Sequence, residues 1–89
     1  MPARRRVFVS GRVQGVFFRE TCRRIALEHS VSGSAQNLPD GRVEVAIEGP
    51  PDAVQQLVNW CRHGPPRAYV TKIEIFDEEP RGETGFFIS

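Results

Sequence analysis

Residues 11 to 19, Gly11-Arg12-Val13-Gln14-Gly15-Val16-Phe17-Phe18-Arg19, form the stretch best equipped to act on an anion. The apolar run Val7-Phe8-Val9 before them reads as a strand, and helical spacing follows them. The stretch is therefore a strand-to-helix turn with glycines in it and an arginine at the helix start. Successive backbone N–H groups in such a turn can converge on one anion, and the helix N-terminus adds partial positive charge. Arg19 adds a full charge on a planar fork that matches phosphate oxygens. The turn is read here as a phosphate cradle. The plainer alternative is an ordinary tight turn followed by a surface arginine.

The remaining inventory narrows the chemistry. His29 falls on a helix stripe and His63 near a helix end, and both read as structural. No His, Cys, Asp and Glu cluster has metal-ligand spacing, and no Walker lysine follows the glycines. Val13 to Arg19 has the length of the Cys-x5-Arg loop of cysteine phosphatases, but Val13 occupies the cysteine's place. Cys22 lies one helical turn past Arg19 on the apolar stripe, where burial makes a thiol inert. An amide cradle, Arg19 and Asn37 remain. That set suits a reaction whose leaving group needs no acid. A carboxylate, whose conjugate acid has a pKa of about 4, is such a group. Phosphoryl transfer to water then requires positioning, charge stabilisation and an oriented water. An asparagine amide can orient water without changing its charge. The residues point towards a mixed anhydride of phosphate and a carboxylic acid.

The positioning elements follow from periodicity. Arg6 to Gly11 is the first strand. Phe18, Cys22, Ile25, Ala26 and His29 form one stripe of a helix that ends between Ser30 and Gly33. Ser34 to Leu38 is a short strand, Pro39-Asp40-Gly41 a turn, and Arg42 to Glu48 an alternating strand with Val43, Val45 and Ile47 inward. Gly49-Pro50-Pro51-Asp52 opens a second helix striped by Ala53, Val54, Leu57, Val58 and Cys61, with Trp60 at the stripe's edge. Gly64-Pro65-Pro66 stops it. Tyr69 to Phe76 is a strand, Asp77 to Gly85 a charged loop, and Phe86-Phe87-Ile88 a short closing strand. The order βαββαβ plus that last strand predicts an α+β, ferredoxin-like split β-α-β sandwich: a mostly antiparallel sheet with both helices on one face. In that topology the first and second strands run the same way. Their C-terminal ends share one edge of the sheet, so Asn37 should neighbour the cradle.

Composition bounds the rest. The chain has 89 residues, read as one domain over 1–89, with a formal net charge of +1 and ordinary hydrophobic content. No global field advertises nucleic acid or membrane. Arg4-Arg5-Arg6 is the only basic run and reads as a solvated N-terminal tail. No apolar stretch approaches the roughly 20 residues of a membrane helix, and the N-terminus lacks a secretory h-region, so a cytoplasmic location is expected. Cys22 and Cys61 are too few for a disulfide scaffold or a zinc site and are expected as free, buried thiols.

Gly11 to Arg19 resembles the acylphosphatase signature G-x-V-Q-G-V-x-F-R. A second family element, G-x-x-x-N-x-x-D-G-x-V, is matched by Gly33, Asn37, Asp40, Gly41 and Val43. Gly64-Pro65-Pro66 with Ala68 and Val70, and the ending Phe86-Phe87-Ile88, are also similar to family positions. The resemblance spans nearly the whole chain. It implies a cofactor-free hydrolase that cleaves acyl phosphates to carboxylate and phosphate; metal-independent turnover, a monomeric state and no nucleic-acid or membrane partner are expected beside it. By resemblance, Arg19 and the backbone amides of Gln14, Gly15, Val16, Phe17, Phe18 and Arg19 bind the phosphate, with inorganic phosphate or sulfate as product-like ligands, and Asn37 positions the attacking water. One departure is visible: Ser34 stands where the family usually has Trp or Tyr, which puts the packing of the second strand in doubt. Two other readings stand beside it. One is a non-catalytic module binding phosphate or carbamoyl phosphate, as similar domains occur inside hydrogenase-maturation proteins. The other is an RNA-binding module, for which the third strand lacks the necessary aromatic side chains.

Overall fold

In the computed structural model, which describes residues 1–89, Val7 and Val9 of one strand and Val43, Val45 and Ile47 of another are fully buried. They recur every second residue, so each strand turns one face to the core. The elements are β1 (Ala3–Arg12), α1 (Phe18–Glu28), β2 (Ser32–Asn37), β3 (Val43–Gly49), α2 (Pro51–Cys61), β4 (Tyr69–Glu78) and β5 (Phe86–Ile88). The sheet order is β4-β1-β3-β2-β5, with β5 parallel to β2 and every other pair antiparallel. This is the expected ferredoxin-like architecture. Both helices press their buried stripes, Phe18, Cys22 and Ala26 on α1 and Val54, Leu57, Val58 and Cys61 on α2, into the same core cluster as the inward valines.

Because β1 and β2 both oppose β3, they run in the same direction and end at one edge. The register makes this concrete: Val43 pairs with Val9 on one side and with Asn37 on the other. The strand leading into the glycine-rich turn also bends there. The β1–β4 register shifts between Ser10 and Gly11. Gly11 has φ 119°, and a Cβ on it would lie 2.2 Å from the Tyr69 carbonyl oxygen, so only glycine allows β4 this close. Beyond the bend, the Phe18 and Trp60 rings lie 5.0 Å apart and tie the start of α1 to the end of α2.

Several expectations need correction. Arg4-Arg5-Arg6 is no tail but part of β1. The Arg4 side chain is 1% exposed and meets Glu78 at 2.8 Å, Glu48 at 3.2 Å and Glu83 at 3.3 Å. Arg6 meets Glu78 at 2.6 Å and Glu44 at 2.7 Å, and Arg5 reaches Gln55 on α2 at 2.8 Å. Glu48 and Glu78 stand directly opposite Arg4 in the register, so pairing across strands, invisible to local sequence, drew the arginines into the sheet. The predicted charged loop is likewise shorter and held. β4 runs on to Glu78, and the Glu48 carboxylate accepts N–H bonds from Arg81, Gly82 and Glu83 at 2.8, 2.8 and 3.2 Å. His29, expected on the helix stripe, is exposed: α1 ends at Glu28 and His29 is its C-cap, outside the last helical turn. Ser34 pairs with Ala46 and Phe87, while its neighbours Gly33 and Ala35 are the buried ones. Its side chain therefore faces away from the helices, and the core does not depend on an aromatic there.

Candidate active site

The turn from Val13 to Phe17 enters α1 with two left-handed residues, Gly15 at φ 73° and Phe17 at φ 66°, ψ 28°. A bulky residue at positive φ is uncommon and persists where its surroundings enforce it. Phe17 is the N-cap of α1, and no side chain caps the helix. None of the backbone N–H groups from Gln14 to Glu20 donates a hydrogen bond within the chain. A helix start normally finds acceptors for its first donors, so this run of unused N–H groups, at the positive end of the helix dipole, leaves donors free for an external acceptor. A Cβ at Gly15 would meet nothing within 4 Å, which leaves that side of the turn open.

Side chains converge on the same place. A concavity of about 220 Å³ is lined by Val13, Gly15, Phe17, Phe18, Arg19, Glu20 and Asn37. The structure thus brings Gly15, Phe17, Phe18, Arg19 and Asn37 together. The Arg19 guanidinium donates to the Ser89 carbonyl oxygen at 2.6 Å. Ser89 is itself held by its N–H on the Ala35 carbonyl at 3.1 Å. β5 therefore places Ser89 where its carbonyl holds one edge of the arginine fork.

Gln14 and Val16, expected at the site through their amides, turn their side chains elsewhere. Val16 is buried in the core. The Gln14 side-chain amide donates to the Leu38 carbonyl at 2.8 Å and the Arg42 carbonyl at 3.0 Å, across the hairpin turn that follows Asn37. Asp40 closes that turn by accepting from the Arg42 N–H at 3.1 Å and the Arg42 guanidinium at 2.8 Å, which holds its carboxyl below the usual carboxylate range. The Gln14 bonds join the cradle to the strand end that carries Asn37. Sequence reasoning missed this tie and the contact of Ser89 with Arg19, because both depend on partners far along the chain.

The other titratable groups are placed apart from this chemistry. Cys22 and Cys61 are free and fully buried, and the Cys22 thiol is pushed up by Cys61 beside it and by burial. His29 and His63 are both exposed and line no part of the concavity. No group of three His, Cys, Asp or Glu residues is arranged to hold a metal ion. No helix is long and apolar enough to cross a membrane.

The chain is thus an α+β protein whose ferredoxin-like sheet brings unused amides, an arginine and an asparagine to one edge. Comparison with known proteins narrows this further. The acylphosphatase family model matches residues 5–88. An acylphosphatase from Gloeobacter violaceus is 52% identical over 93% of this chain and 89% of its own length. The crystal structure of acylphosphatase from Bacillus subtilis superposes with a TM-score of 0.93 at 37% identity, covering 100% of this chain and 99% of that one. An acylphosphatase structure from Coxiella burnetii gives a TM-score of 0.94 at 35% identity, covering 99% and 93%. The chain belongs to the acylphosphatase family, and it is an enzyme of that family.

Proposed function

We propose that the protein hydrolyses small acyl phosphates by direct attack of water on phosphorus, as a monomer and without a cofactor. The observation that carries this reading is the run of unpartnered N–H groups from Gln14 to Glu20, in the turn whose Gly15, Phe17, Phe18 and Arg19 line one concavity with Asn37. In this mechanism the amides and Arg19 bind the phosphoryl oxygens. They gain strength as charge develops on those oxygens in the transition state. The Asn37 amide orients the attacking water. The water oxygen bonds to phosphorus, the bond from phosphorus to the bridging oxygen breaks, and its electron pair leaves with the carboxylate. Both protons of the water end on phosphate, one kept by the incorporated oxygen and one passed to a phosphoryl oxygen, so the products are the carboxylate and dihydrogen phosphate. A carboxylate needs no general acid to leave, which fits a site whose working groups are amides and one arginine.

The test is phosphate release from acetyl phosphate in the presence of a chelator. The expected result is turnover, inhibited by inorganic phosphate. A protein that binds phosphate but releases none from acetyl phosphate would instead be a binding module for phosphate or carbamoyl phosphate. Turnover lost in chelator and restored by magnesium or zinc would refute the proposed division of labour.

A further inference from the structure

Resting on the hydrolytic reading above, we infer that the ring of Phe17 is the acyl-group contact of this site and favours uncharged aromatic acyl phosphates. Phe17 is 66% exposed, although it belongs to the turn that forms the cradle. Its left-handed backbone, φ 66°, sets this: the N–H stays in the cradle run while the side chain stands on the lip instead of entering the core. The next residue, Phe18, is 2% exposed and supplies the core contact. The turn therefore spends one aromatic on packing and leaves the other in solvent beside the phosphate position.

In-line displacement decides which side the acyl group occupies. The attacking and leaving oxygens lie on opposite faces of phosphorus. With water at Asn37, the leaving carboxylate points away from Asn37. A second depression adjoins the cradle concavity along the first turns of α1. It shares Phe17 and Glu20 with the cradle concavity, continues to Thr21 and Arg24, and is not lined by Asn37. An acyl group directed there crosses the Phe17 ring. The charges around it favour a neutral group: Glu20 lines both depressions, and Arg24 already faces Glu28 at 3.6 Å. An offset-stacked or edge-to-face aromatic pair adds discrimination of roughly 3–10-fold beyond simple burial.

The experiment compares kcat/KM for benzoyl phosphate and acetyl phosphate in the parent, Phe17→Leu and Phe17→Ala. The benzoyl-to-acetyl ratio is expected to fall roughly 3–10-fold in Phe17→Ala and by less in Phe17→Leu. A parallel measurement uses stable inhibitors. Phenylphosphonate should inhibit the parent more tightly than methylphosphonate, and the gap should close in Phe17→Ala. A parent that turns over both substrates, with a ratio unchanged in the variants, overturns the subsite while leaving the hydrolytic reading intact. A parent that hydrolyses neither substrate overturns both. Should Phe17→Ala not fold, equal inhibition of the parent by the two phosphonates is enough to refute the subsite.

Discussion

Gln14→Ala tests whether the cradle and Asn37 are held as one unit. The Gln14 side-chain amide donates to the Leu38 and Arg42 carbonyls, and it is the only side chain that bridges the cradle turn to this hairpin turn by hydrogen bonds. Each such bond contributes a net stability of about 0.5–1.5 kcal/mol, so losing both costs about 1–3 kcal/mol. The cost stays in that range because neither carbonyl is orphaned. Leu38 O still accepts from the Gly41 N–H at 3.1 Å, and Arg42 O from the Leu38 N–H at 2.8 Å. For a domain of this size the midpoint of thermal unfolding should fall by roughly 4–8 °C per kcal/mol. The functional effect should be uneven. The cradle amides and Arg19 remain, so inhibition by phosphate should change little, whereas kcat should drop because the oriented water is no longer held in register with phosphorus. Gln14→Glu should be worse than Gln14→Ala, since it aims a carboxylate at two carbonyl oxygens. Thermal denaturation, kcat and the phosphate inhibition constant for each variant decide the matter. Parental unfolding temperature together with parental kcat in Gln14→Ala would refute the coupling.

Four further outcomes are expected. Asn37→Ala should lower kcat by roughly 10²-fold or more with phosphate inhibition nearly unchanged, the mark of a group used in the transition state; near-parental turnover would remove Asn37 from the mechanism. Arg19→Lys should lose both turnover and phosphate affinity, because an ammonium cannot reproduce the fork that Ser89 orients, and steady-state kinetics with phosphate as inhibitor reads both. Glu78 is held down by Arg6 and then Arg4 to about 2, below its ordinary 4.5. Its contribution to stability is present above pH 4.5 and is lost as pH falls towards 2, so Glu78→Gln should flatten the decline in unfolding temperature across that window, and an unchanged profile would count against the network. Thiol titration of the denatured, unreduced protein should find both Cys22 and Cys61 reactive, and fewer than two thiols per chain would reveal a disulfide.

Much of this fold is written locally. The alternation of Val43, Val45 and Ile47 and the stripes of Phe18, Cys22 and Ala26 and of Val54, Leu57, Val58 and Cys61 report periods of two and 3.6 directly, because a core face imposes them. The strand-to-helix turn was legible for a similar reason. Glycines beside a strand end and an arginine at a helix start are short-range features, and the amide cradle needs only them. Ion pairing across the sheet was not legible. Arg4 lies 44 positions from Glu48 and 74 from Glu78, so three adjacent arginines looked like a tail until the sheet order set acids on both sides of them. The end of α1 was legible to within two residues: the helix closes at Glu28 and Ser30 takes the left-handed conformation just beyond it.

For the proposed site, the sequence supplied the strand-to-helix turn, the Arg19 fork and the Asn37 amide, and the family resemblance named the amides from 14 to 19. Only the tertiary structure decided how they are held. The Gln14 side chain reaches the hairpin turn because β1 and β2 flank β3, and Arg19 is oriented by Ser89 because β5 lies parallel to β2. Both contacts join segments distant in sequence. No periodicity or motif records them, since a chain's local pattern specifies which face of an element is buried and not which remote backbone carbonyl a side chain will meet.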